Sequence, residues 1–68
     1  MKEFAERLYD LRMETGISQG KLAKAIGVTQ PTIARYEADF QSPTAEVIVE
    51  LAKFFGVTAD YLLGLRDD

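Results

Sequence analysis

Gln19-Gly20-Lys21-Leu22-Ala23-Lys24-Ala25-Ile26-Gly27-Val28-Thr29-Gln30-Pro31-Thr32-Ile33-Ala34-Arg35-Tyr36-Glu37-Ala38 reads as two short helices joined by a tight turn. Ser18 stands where the first helix needs an N-cap, and Leu22, Ala23 and Ile26 then fall on one side of a helix over Gln19 to Ile26. Gly27 can take the positive φ that reverses the chain, and Thr29 caps a helix starting at Gln30. Pro31 lies in that helix's first turn, where a missing N–H costs no intrahelical bond. A side chain larger than Ala23 would push the two helices apart, and Leu22, Ile26, Val28, Ile33 and Tyr36 supply a shared apolar interior. Any helical hairpin in a bundle would need similar small residues.

The flanking segments follow the same grammar. Phe4, Leu8 and Leu11 recur at helical spacing up to Gly16, which predicts an amphipathic first helix. Asp39 to Pro43 is a loop; Thr44 then caps a helix carrying Val47, Ile48, Leu51, Ala52 and Phe55, closed by Gly56. Thr58 opens a last short helix through Tyr61, Leu62 and Leu63 to Gly64. No strand-like alternation or repeat interrupts this order. The expected fold is all-α, a compact five-helix orthogonal bundle, with residues 1–68 forming one domain.

Composition narrows the function. At 47% hydrophobic and 28% charged residues the chain is too apolar for a disordered tail, and without cysteine or histidine its fold cannot lean on disulfides or on thiolate or imidazole metal sites. Carboxylates spaced for metal ligation or acid–base work and a glycine-rich phosphate loop are lacking too, so neither catalysis nor a cofactor nor a small-molecule ligand is expected. No apolar run approaches the roughly 20 residues of a membrane span, and Met1-Lys2-Glu3-Phe4 leads straight into an amphipathic pattern, so a cytoplasmic protein is expected. The net charge of -3 runs against a nucleic-acid partner, but its distribution does not: Thr15 to Tyr36 carries Lys21, Lys24 and Arg35 and no acid, leaving -6 for the rest. An ordinary solvated surface would also fit those charges.

Winding the third helix at about 100° per residue sets Gln30, Pro31, Ala34 and Arg35 on one arc and Ile33, Tyr36 and Glu37 opposite. One side packs and the other stays free. The free side offers an amide that can pair with adenine N6 and N7 and a guanidinium that can fork onto guanine O6 and N7. Gln and Arg are also ordinary choices for a solvated helix face.

The chain resembles the lambda-repressor-like, or Xre, family of phage and bacterial helix-turn-helix regulators. The likeness covers nearly the whole chain and rests on Leu11-Arg12, Gly16-Ile17-Ser18-Gln19, Leu22-Ala23, Gly27-Val28-Thr29-Gln30, Thr32-Ile33, Tyr36-Glu37, Leu51-Ala52-Lys53, and Gly56-Val57-Thr58 through Tyr61-Leu62-Leu63-Gly64. It implies a helix-turn-helix over 19–38 with its second helix, about 30–37, reading double-stranded DNA in the major groove as part of a transcriptional repressor. Gln30, Pro31, Thr32 and Arg35 would face bases; Ser18, Gln19, Lys21 and Thr29, near helix N-termini, would meet phosphates. Arg12 and Glu37 match an internal ion pair. A homodimer on a near-palindromic operator is expected, with contact around Val57, Tyr61 and Leu65, where apolar residues cluster near the chain end; they could equally finish the bundle.

Two places depart from the family pattern. Relatives often carry a basic residue and a glycine after the second helix of the motif, where this chain reads Ala38-Asp39-Phe40-Gln41-Ser42, and commonly a polar reader where it has Pro31. The acidic total and Phe40 also suit a rival reading, a protein-interaction module of the antitoxin-like or anti-repressor-binding kind with weak DNA contact.

Overall fold

A computed structural model describes residues 1–68 and contains five helices and no strand. They are α1 (Lys2–Thr15), α2 (Gln19–Ile26), α3 (Gln30–Glu37), α4 (Ala45–Phe55) and α5 (Ala59–Leu62). Four of the five starts are set by one device. The hydroxyls of Ser18, Thr29, Thr44 and Thr58 accept from the backbone N–H three residues on, at Lys21, Thr32, Val47 and Tyr61. Each such cap stabilises its helix by about 1 kcal/mol. The helix starts expected from the sequence at Gln19 and Gln30 are the observed ones. At the C-terminal end α5 stops at Leu62, and Leu63, expected within the helix, is its cap.

Gly27 ends α2 at φ 80°, turning the chain so that α3 packs back on α2. The core lies between the five helices: Leu8, Leu22, Ile33, Leu51 and Leu62 are completely buried, and Phe4 nearly so. Burying each of these side chains contributes about 1.5–3 kcal/mol. Phe4 and Tyr36 meet edge to face with ring centroids 5.7 Å apart, which ties α1 to α3. Ala23 is buried as the α2–α3 contact requires, whereas Ile26 and Val28 only border the core. The inner side of α3 is thus fully used by packing.

Candidate nucleic-acid interface

The outer side of α3 carries Gln30, Pro31 and Arg35, all exposed, with Ala34 half-buried between them. Thr29 and Pro31 fix where this face begins. The Thr29 hydroxyl caps α3, and the proline ring occupies the first turn without losing a bond. A Cβ at Gly20 would stand 3.6 Å from Gln30 Oε1, so the Gln30 amide sits against the first turn of α2. Thr32 is placed differently from its three neighbours. It is half-buried, and its hydroxyl shares a 2.9 Å hydrogen bond with the Thr29 hydroxyl.

Around this face the first turn of α2 brings together Ser18, Gln19 and Lys21. Ser18 Oγ accepts from the Lys21 N–H at 3.1 Å, which leaves its own proton available to an acceptor. Gln19 Nε2 donates to Glu37 Oε1 at 3.0 Å, so one amide hydrogen is taken and the other remains. Lys21, Lys24 and Arg35 are exposed.

Behind the face, Arg12 and Glu37 form a fork. Arg12 Nε donates to Glu37 Oε2 at 2.6 Å and Nη2 to Oε1 at 3.0 Å, with side-chain exposures of 13% and 7%. Arg12 Nη1 also reaches the Ile17 carbonyl at 3.1 Å. One guanidinium therefore joins α1, the turn before α2 and the end of α3. The hydrogen bond to Glu37 raises the Arg12 pKa against the opposing effect of burial, so the guanidinium stays charged. Burial raises the Tyr36 phenol.

Beyond α3, Asp39 adopts φ 61°, the left-handed conformation that suits glycine better than a residue with a side chain. The Phe40 N–H bonds back to the Arg35 carbonyl at 2.9 Å, which closes the helix, and the Phe40 side chain is left 85% exposed. The Asp39 carboxylate lies 2.9 Å from the Met1 nitrogen. Of the residues expected at a dimer contact, Val57 packs against the core, Tyr61 is half-buried and Leu65 is 72% exposed. No group of acidic side chains is arranged to hold a metal ion, and no helix is long and apolar enough to cross a membrane.

Two short capped helices around a glycine turn, one buried along its inner side and polar along its outer side, define a helix-turn-helix protein. A family model described as helix-turn-helix matches residues 8–62, and the chain belongs to that family. It is 35% identical over 96% of its length to the HTH-type transcriptional regulator YobD of Bacillus subtilis, covering 58% of that protein. It is 43% identical over 79% of its length to the cryptic phage CTXphi transcriptional repressor RstR of Vibrio cholerae, covering 49% of it. The chain thus spans about half the length of these relatives. The structure is similar to that of the P22 c2 repressor protein solved in complex with a synthetic operator, with a TM-score of 0.89 at 29% identity, covering 97% of this chain and all of that one.

Proposed function

We propose that this chain is the sequence-specific double-stranded-DNA-binding unit of a transcriptional repressor, with α3 in the major groove. The carrying observation is the division of α3: Ile33 and Tyr36 are buried while Gln30, Pro31 and Arg35 are exposed beside the one segment with positive charge. A helix about 10–12 Å across fits a groove about 12 Å wide. Gln30 and Arg35 read adenine and guanine, each with about 1–3 kcal/mol of discrimination. Pro31 and Thr32 complete the reading edge, Thr32 through contacts its shared hydroxyl still permits. Ser18, Gln19, Lys21 and Thr29 hold phosphates on the two sides of the groove. This is a binding protein rather than an enzyme, and on the same reading it is cytoplasmic. The likenesses to a phage repressor and to a repressor–operator complex support it.

A single copy reads too little. The eight residues of α3 span about 12 Å, the length of some four base pairs, and three basic side chains neutralise few phosphates. The proposed working form is therefore a homodimer on a near-palindromic operator, meeting around Val57, Tyr61 and Leu65, with half-sites about 10 base pairs apart.

Selection of bound sequences from a random duplex pool, followed by titration against salt, tests this. The expected result is an inverted repeat whose affinity falls with a log–log slope of about -1.8 per copy, for two phosphates neutralised by Lys21 and Lys24 while Arg35 is engaged with a base. The exposed Phe40 favours a second reading, a protein-interaction module with weak DNA contact. No enriched motif together with a flat salt response would replace the first reading by the second.

A further inference from the structure

Arg7 lies far from the reading face along the chain and is half-buried on α1. Its Nη1 donates to the Tyr61 carbonyl at 2.6 Å and to the Arg66 carbonyl, and its Nη2 lies 3.1 Å from Asp67 Oδ1. Its Cζ also stands 4.3 Å from the centroid of the Tyr61 ring. Only a guanidinium can donate in several fixed directions while stacking on an aromatic face. The Tyr61 carbonyl, in the last turn of α5, also accepts from the Gly64 N–H at 3.1 Å, so Arg7 adds a second donor at a helix end the backbone already closes. A second contact is independent of the first. At Gly64, with φ 80°, the chain passes α1 so closely that a Cβ would fall 2.6 Å from Glu3 Cβ.

These two anchors bracket Leu65, whose side chain is 72% exposed although its N–H is bonded to the Asp60 carbonyl at 2.9 Å. A large apolar side chain held out on an ordered segment associates without first giving up chain entropy. We infer that Arg7 is a positioning residue for self-association: with Gly64 it fixes Tyr61 and Leu65 in one pose against α1 and presents Leu65 to a second copy of this chain. The inference rests on the dimeric reading above. It also assigns the Tyr61 ring a different part, since one face of that ring is occupied within its own copy.

The test compares wild type, Arg7→Ala and Val47→Ala on two duplexes from the selection, one with a single half-site and one with both. Val47 borders the core and is not among the partners of Arg7, so its variant controls for lost stability. Arg7→Ala is expected to bind the half-site within about twofold of wild type and to lose about tenfold or more of the cooperativity on the full site. Heteronuclear NOE values at Leu65 and Arg66 should fall in the free protein. Val47→Ala should keep full cooperativity. Unchanged cooperativity in Arg7→Ala, or an equal loss in Val47→Ala, overturns the inference. One wild-type copy per full-site duplex overturns the dimeric reading itself, a result visible before any variant is made.

Discussion

Glu37 receives three hydrogen bonds on two oxygens, two from Arg12 and one from Gln19, in a place where it is almost closed to water. Taking Arg12 away leaves the carboxylate with one neutral donor and no counter-charge. Arg12→Ala should therefore cost about 3 kcal/mol, toward the lower end for broken buried pairs because some exposure remains. Denaturant midpoints of Arg12→Ala, Glu37→Ala and the double variant check this: the double variant should lose clearly less than the two single losses combined. Simple additivity would make the fork an ordinary surface contact. Tyr36 gives a residue-level test in pH. Its folded pKa is raised by burial, so the stability it contributes is complete below the free phenol value of about 10 and is lost as pH rises beyond it. The difference in thermal midpoint between wild type and Tyr36→Phe should be constant from pH 7 to about 9 and then shift in favour of the phenylalanine variant. A constant difference up to pH 11 contradicts it.

Among the elements, α3 holds the sharpest division between packing and recognition. Gln30 and Arg35 have no part in the core, so replacing both by Ala should leave the helical signal and thermal midpoint nearly unchanged while erasing about 2–6 kcal/mol of preference for the selected duplex over a scrambled one. Preference that survives the double replacement would remove these residues from the reading face. The loop after α3 pulls the other way. Asp39→Asn keeps a residue that tolerates φ 61° and removes a negative charge next to the interface, so tighter duplex binding is expected at low salt, with the gain shrinking as salt rises. Equal affinity at low salt would place Asp39 outside the reach of the phosphates. Helix starts were legible from Ser18, Thr29, Thr44 and Thr58 because a cap acts on an N–H only three residues away. The hydroxyl pair of Thr29 and Thr32 was not, although it is as local, because the wheel shows a side's direction and not which acceptor a hydroxyl chooses. The grip of Glu37 on Gln19 and of Arg7 on Tyr61 spans 18 and 54 positions, and nothing in a single sequence marks partners at that separation. The Arg12–Glu37 pair spans 25 positions and was expected only from the family resemblance.

At the scale of the whole molecule, the most extensive helix–helix packing joins neighbours in sequence, α2 with α3, through a turn of a few residues. Contacts of that kind form early, which makes microsecond-to-millisecond folding the expectation for a helical chain of this size. The hold of Arg7 on Tyr61 and Asp67 is the opposite case, joining positions 54 and 60 residues apart. It can close only after the chain ends have been brought together, so it should be absent at the barrier that separates the unfolded ensemble from the native one. In stopped-flow mixing, Arg7→Ala should then leave the refolding limb nearly where it is and raise the unfolding limb, the signature of an interaction made after the barrier. A slowed refolding limb with unchanged unfolding would put this contact in the nucleus. Arg7 would then govern how long a folded copy lasts rather than how fast one is made, and lifetime, more than equilibrium stability, is what sets resistance to a protease that cleaves faster than the chain can reclose.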